Sequence, residues 1–410
     1  MRRYLLRRIV QIVVTLYLYL TLVFFILQAM PGDFSQIYID NPQLDKAARE
    51  QLIRDLGLDK PLHEQYLTYL RNFVIGQWGV SFANGRPVWD IIVERLPRTA
   101  LLFVTATLIA FYLGFLLGKL IAWRRGRLIE YTSTVVGITF YTAFTPMLAL
   151  LLVWIFAIQL TNWTGVKLFP IANFLDMDKW QLVNLGPHGS NIIFGYMLAT
   201  LGALAAFIFA YWWLCHRLIH RPGVRFLALL GGYTGALLLA GYVWVAVEPL
   251  AQCWPAFQVY GGRICNWQLA VDILHHMILP VTVVTLISFG GTMLLMRNSM
   301  LETIREDYIM AAKAKGLPEK NVRDGHAARN ALLPVVTSFV LSLALAIDGG
   351  IITETLFSWP GMGLTLLNSV QEQDFPLAIA ALVFTGVFAL IAHLVADILY
   401  AYLDPRIRYE

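Results

Sequence analysis

The sequence predicts an all-α, polytopic transmembrane helical bundle, and three observations predict it. Apolar residues make up 58% of the 410 and charged residues only 14%, where a water-soluble domain keeps about a quarter of its residues charged. The apolar residues come in long blocks instead of alternating, and about 20 in succession cross a bilayer as a helix. Basic residues gather in every second connecting segment. Lipid offers the backbone no hydrogen-bond partner, so each block has to be a helix that satisfies its own amides.

Eight blocks qualify, near 9–30, 99–122, 134–160, 192–214, 226–247, 275–297, 333–355 and 378–402. The first follows Arg2, Arg3, Arg7 and Arg8, as a secretory signal would. Its apolar run is too long for a usual signal core and no small-x-small cleavage site precedes Pro31, so it reads as an uncleaved helix. With Met1 inside, the inner segments are 1–8, 123–133, 215–225, 298–332 and 403–410. These hold 20 of the 31 Lys+Arg, counting Lys119 and Arg297 at the margins. The outer loops 161–191, 248–274 and 356–377 hold Lys167, Lys179 and Arg263 alone. Segment 31–98 holds the other eight, but segments that long cross regardless of charge. Both termini are therefore expected in the cytoplasm. This asymmetry accounts for the net charge of +5, so no nucleic-acid partner is needed.

The domains follow: a first helix at 1–30, an outer helical segment at 31–98, helices two and three at 99–170, a stretch with two further helices at 171–274, and a core at 275–410. In 31–98, short helices alternate with turns at Gly57 and Pro61, and Tyr66, Tyr69, Phe73, Trp78, Phe82 and Trp89 recur. This suits a small outer domain on the membrane or aromatics anchoring a loop at its interface. Of three cysteines, Cys215 falls at an inner helix end and is expected as a free thiol. Cys253 and Cys265 share an outer loop with Pro255 and Gly261-Gly262. A disulfide can persist there, and spacing alone leaves the bridged and reduced readings open.

The inner segment 298–332 is charged and helix-favouring. Residues 301–315 suit one helix, Gly316-Leu317-Pro318 stops it, and 319–329 suits another. Small residues Ala311, Ala312 and Ala314 precede Gly316, which can adopt a backbone conformation that other residues resist. A helix so edged with small side chains can approach another surface closely, and Arg305, Glu306, Lys313 and Lys315 can pair across a polar interface. An ordinary alanine-rich surface helix is the alternative.

The run Asp307-Tyr308-Ile309-Met310-Ala311-Ala312-Lys313-Ala314-Lys315-Gly316-Leu317, with His326-Ala327-Ala328-Arg329-Asn330-Ala331-Leu332-Leu333-Pro334 behind it, resembles a family. It is that of the membrane-spanning subunits of ABC importers of the dipeptide/oligopeptide/nickel permease type, in particular the first of its two paired permeases. Further runs match in order: Met30-Pro31-Gly32-Asp33, Leu56 to Leu62, Gln65-Tyr66, Gly79-Val80-Ser81-Phe82, Pro87-Val88, Arg95-Leu96-Pro97-Arg98-Thr99, Glu354 to Gly363, Asp374-Phe375-Pro376, then Asp397, Tyr400 and Asp404 to Arg408. Gln77-Trp78 departs where the family usually has an acid, and Asp348 stands where an apolar residue or glycine is expected. The resemblance covers roughly 1–170 and 275–410. Between them stand about a hundred extra residues with two more helices, an even number that preserves the topology.

The resemblance implies a permease in a bacterial or archaeal cytoplasmic membrane. Its coupling helix, with Arg305, Glu306, Asp307, Tyr308, Ala311, Ala312, Lys313, Lys315, Gly316 and Leu317, would sit in a groove of an ATP-binding subunit. The implied partners are two such subunits, a second homologous permease, an extracytoplasmic solute-binding protein and membrane lipid. The family carries peptides, and also nickel chelates, glutathione and some oligosaccharides.

No cofactor is expected in this chain, since ATP and Mg belong to the partners. Gly114 to Leu120 is one residue short of a phosphate loop, lacks its Ser/Thr and lies in an apolar span. Gly114 and Gly118 read instead as a close-packing pair, with Lys119 reaching inward. Among ionisable residues in spans, Asp348 and Glu354 are candidates for the translocation path, with helix capping or partner contact the alternative for Asp348. Glu354 and Asp397 also match family positions near helix ends, where a structural role is the alternative reading. Adjacent His275 and His276 point to different helix faces, so no metal site is expected. A stand-alone secondary transporter would show inverted repeats, and a membrane enzyme a converging His/Asp/Glu cluster. The sequence offers neither.

Overall fold

The computed structural model describes residues 2–28, 60–175, 186–218, 222–246, 253–255, 263–345 and 350–403. The elements are α1 (Arg2–Gln28), α2 (Leu62–Ile75), α3 (Val88–Trp123), α4 (Leu128–Tyr141), α5 (Thr145–Thr164), α6 (Gly186–Leu218), α7 (Pro222–Ala246), β1 (Cys253–Pro255), β2 (Arg263–Cys265), α8 (Asn266–Thr303), α9 (Asp307–Ala314), α10 (Ala328–Leu345), α11 (Ile351–Leu356), α12 (Met362–Gln371) and α13 (Phe375–Leu403). Among the described residues, α1, α3, α5, α6, α7 and α8 are long and apolar enough to cross a membrane. The fold is an all-α polytopic bundle.

Several predicted boundaries move. Helix α3 starts at Val88, not near 99, behind Pro87 at its N-cap. Its first turns looked like loop because they carry Glu94, Arg95 and Arg98. Yet Glu94 takes Arg86, just ahead of the helix, at 2.9 Å and Arg98, one turn on, at 2.8 Å, so the buried carboxylate is paired locally. Block 134–160 is two helices, α4 and α5, broken at 142–144. Pro146 disfavours helical backbone at the residue before it. Thr142 turns its hydroxyl back to the Ile138 carbonyl at 2.9 Å. A π-helical turn, Val153–Gln159, interrupts α5. Helix α8 runs well past both predicted ends of 275–297. The block 333–355 is divided: α10 ends at Leu345, and the described chain resumes at Gly350 in extended backbone before α11. Asp348 lies outside the described residues.

The chain forms two compact units, Met1–Leu152 with Pro280–Glu410, and Val153–Leu279. In the first, glycines allow close helix contacts. A Cβ on Gly114 would meet Thr292 Cβ at 2.6 Å, and one on Gly118 the Met293 carbonyl oxygen at 2.6 Å. The pair thus lets α3 lie against α8, as expected of it. Between α4 and α8, a Cβ on Gly290 would sit 2.3 Å from the Gly137 carbonyl oxygen. Helices α1, α2 and α13 share a core of Leu20, Val23 and Val383 with Tyr69, Leu70 and Phe73, and Tyr19 donates to the Leu382 carbonyl at 2.8 Å.

The second unit contains the predicted extra pair. A Cβ on Gly232 of α7 would meet the Tyr211 ring of α6 at 2.1 Å. Tyr211 donates its hydroxyl to Ala228 O, and Trp244 donates Nε1 to Thr200 Oγ1, both at 3.0 Å. Strands β1 and β2 pair antiparallel with Cys253 opposite Cys265. Cys265 is disulfide-bonded, and Cys215 is free and buried.

Candidate docking element and the lock at the far end of its helix

Helix α9 is short because its ends are set locally. Glu306 precedes it in extended backbone, Asp307 opens the first turn and Lys313 closes the last, charges that suit the helix dipole. Beyond Lys315, Gly316 takes φ 71. Its amide bonds to Lys313 O at 2.9 Å, and the Leu317 amide to Ala312 O at 3.4 Å. This is a Schellman closure, which needs a left-handed residue at the glycine position.

The helix has two faces. Ile309 and Ala312 are buried in a cluster with Met296, Met300, Val322, Ala327, Ala328, Ala331 and Val335. The opposite face exposes Asp307, Tyr308, Met310, Ala311, Lys313, Ala314 and Lys315, with Gly316 and Leu317 following. Ala312 was expected to face a partner, and here the structure corrects the sequence. Its methyl group seats α9 on its own chain, while Ala311 and Ala314 remain on the open face. Arg305 and Glu306 are also exposed.

Polar contacts bind this element to α3. Trp123 donates Nε1 to Glu319 at 2.5 Å, and Lys313 Nζ lies over the Trp123 ring at 5.7 Å. Lys119 pairs with Asp324 at 3.2 Å, so this lysine has a specific partner. Arg323 holds the Asp324 carboxyl below its usual range, with Lys119 adding to the effect. Asn330 donates to the Tyr308 hydroxyl at 2.7 Å. Nearby, Glu130 accepts from the Gly126 amide at 2.6 Å and from Arg297 Nε at 3.1 Å. The Gly126 bond, then Arg297, lowers the Glu130 carboxyl. The sequence held one signal for this pair: Glu130 is the single acid in the basic segment 123–133.

At its other end α3 carries a lock. Glu354 is fully buried, accepting from Thr99 Oγ1 at 2.7 Å and from the Leu364 amide at 2.9 Å. Thr99 Oγ1 in turn accepts the Met362 amide at 2.8 Å. A Cβ on Gly361 would come within 2.2 Å of Glu354 Oε1, so only glycine fits. Trp359, also fully buried, donates Nε1 to Arg98 O at 3.1 Å. A second knot surrounds Asp374, which accepts from Ser81 Oγ, from the Ala83 amide at 3.3 Å and from the Leu377 amide at 3.4 Å. The scattered motifs 79–82, 87–88, 95–99, 354–363 and 374–376 are thus one interlocked structure. Glu354, a candidate for the translocation path, is enclosed by protein on all sides and lines no opening in this conformation. Asp397 pairs with Arg8 at 3.3 Å.

In the second unit, the first turns of α8 bring Asp272, His275 and His276 together, with one ligand atom of each within 4.8 Å of the others. The expectation that adjacent histidines diverge does not describe these side chains.

A multi-pass bundle that seats a short two-faced helix on its own spans has the build of a transport-system membrane subunit. Residues 1–103 match the N-terminal membrane component of binding-protein-dependent transport systems, and residues 223–409 the inner membrane component of those systems. The second match takes in α7, part of the stretch 171–274 that the motif resemblance leaves uncovered. The chain is 30% identical to the oligopeptide transport system permease protein AppB of Bacillus subtilis (strain 168), with all of both chains covered. It is 29% identical to the dipeptide transport system permease protein DppB of Escherichia coli (strain K12), again over all of both. The glutathione transport system permease protein GsiC of Shigella boydii serotype 4 is 27% identical over the same full extent. The chain belongs to the binding-protein-dependent transport permeases, in their dipeptide/oligopeptide branch.

Proposed function

We propose that the chain imports peptides as one of two paired permeases, driven by ATP hydrolysed on two separate subunits and supplied by an extracytoplasmic solute-binding protein. The observation that carries this reading is α9, a helix with one face sealed into its own chain and the other open. It is held to the long span α3 by Lys313 over the Trp123 ring and, through the segment that follows it, by Trp123–Glu319 and Lys119–Asp324. Its open face, Asp307, Tyr308, Met310, Ala311, Ala314, Lys315 and Leu317, is the surface for an ATP-binding subunit. Both termini face the cytoplasm, on the side of α9. ATP and Mg reside in the partners, and this chain hydrolyses nothing.

The mechanism is mechanical. Helix α3 has 36 residues, a rod of about 54 Å at 1.5 Å per residue. One end is clasped by α9 and the other by the Glu354 lock. When the ATP-binding subunits close, they displace α9. Because Ile309 and Ala312 sit in the same core as Val322, Ala331 and Val335, α10 moves with it. Packed interiors pass on such displacements with little compression. The displacement therefore reaches the far ends of α3 and α10 and alternates access between the two membrane faces.

Reconstitution of the chain with its co-purifying subunits tests this. ATP-dependent uptake of labelled di- and oligopeptides, abolished by bulky residues at Ala311 and Ala314, supports it. Uptake without ATP by the lone chain defeats the import reading. Uptake of nickel chelates or oligosaccharides with no peptide uptake defeats the substrate assignment alone.

A further inference from the structure

We propose that Asp272, His275 and His276 form a binding site for a divalent transition-metal cation of the zinc class. The three ligand atoms lie within 4.8 Å of one another. Asp272 is 8% exposed and the His276 side chain 9%, while His275 is half-buried, so the site opens to solvent on the His275 side. His276 Nδ1 is 3.8 Å from Asp272 Oδ2. Zinc makes bonds of about 2.0–2.2 Å to imidazole nitrogen and carboxylate oxygen, so one cation between these two atoms spans that gap. The same nitrogen lies 2.9 Å from the Asp272 carbonyl oxygen, and the cation would take the place of the proton it shares there.

His275 makes the site more than an ordinary i,i+4 pair. Neighbours on a helix are about 100° apart, and this ring nevertheless turns toward the other two. It is held there by Leu168, whose carbonyl oxygen lies 2.7 Å from Nε2. A ring nitrogen facing a carbonyl carries the proton, which leaves the Nδ1 lone pair for a cation. Metal-binding histidines are characteristically fixed in this way through their second nitrogen. Two imidazoles and one carboxylate, with further positions open to water, suit zinc, nickel or iron(II) far better than calcium or magnesium. The disulfide at Cys265 closes β2 directly ahead of α8, seven residues before Asp272. It places the site near the compartment where disulfides persist. A bound cation would fasten the Leu168 segment to the head of α8.

The test uses the full chain, tagged without added histidines, stripped with chelator and held in lipid nanodiscs. Zinc titration followed by gel filtration and elemental analysis should show one equivalent retained per chain. Asp272→Asn and His276→Ala should each weaken binding at least about tenfold, while His393→Ala leaves it unchanged. Failure of the unmodified chain to retain an equivalent overturns the site, as does equal retention by the Asp272→Asn/His276→Ala variant. If that variant does not fold, cobalt added to the unmodified chain decides. Visible ligand-field bands from nitrogen coordination support the site, and their absence overturns it.

Discussion

Replacing Thr99 by valine keeps the shape of the side chain and removes its oxygen. Thr99 Oγ1 donates to Glu354 at 2.7 Å and accepts the Met362 amide at 2.8 Å, both in the interior. The Met362 amide would be left buried without an acceptor, which costs about 1–3 kcal/mol. The lost bond to Glu354 adds about 1 kcal/mol, so Thr99→Val should destabilise by about 2–4 kcal/mol. Glu354→Gln keeps an acceptor for the Leu364 amide and should cost about 1–3 kcal/mol alone. Since both changes act on one bond, the double variant should fall short of their sum by about 1 kcal/mol. Unfolding of the four proteins in mixed micelles, titrated with denaturing detergent, measures this cycle. Thr99→Val within about 0.5 kcal/mol of the parent, or strict additivity, would refute the account of the lock.

Other expectations can be checked beside it. Ala312→Leu should lower stability by about 1–3 kcal/mol through overpacking, whereas Ala311→Leu should leave it unchanged and abolish capture of the ATP-binding subunits in a pull-down. Gly316→Ala forces a methyl into φ 71 and should cost about 1 kcal/mol, read as earlier proteolytic nicking after Lys315. Gly118→Leu should prevent assembly of the α3–α8 contact and leave no monodisperse protein in detergent extracts, given a Cβ 2.6 Å from Met293 O. The Glu130 carboxyl is lowered by the Gly126 amide and Arg297 from an ordinary value of 4.5. Its contribution is therefore complete above that value and lost as pH falls through the lowered one. Glu130→Gln should flatten the acid limb of the stability–pH profile.

The long apolar runs made the helices legible, and the alanines ahead of Gly316 marked the docking element. What the residues could not disclose were partners distant in sequence. The first turns of α3 looked like loop because charge reads as solvent-facing until Arg86 and Arg98 are seen around Glu94. The break between α4 and α5 was hidden because a proline at the second residue of a helix is compatible with helix on its own side. Ala312 looked like an interface residue because a small side chain permits close approach in either direction, and only the packing against Val322 and Ala331 says which. Glu354 reads as either a path residue or a structural one for a related reason. A buried acid is costly until its donors are located, and Thr99 lies 255 positions away.

That separation has a bearing on how the protein is made. Ribosomes add about 5–20 residues per second, so Thr99 waits about 13–50 s for Glu354 to be synthesised. Until then the Thr99 hydroxyl and the Ser81 hydroxyl lack the carboxylates that later receive them. The early helices thus reach the membrane as an unfinished object. A chain truncated before Asp374 would keep α1, α3, α5, α6, α7 and α8 but lose α13 and leave the Ser81 hydroxyl without its carboxylate, a mark by which a membrane protease could tell it from the completed protein.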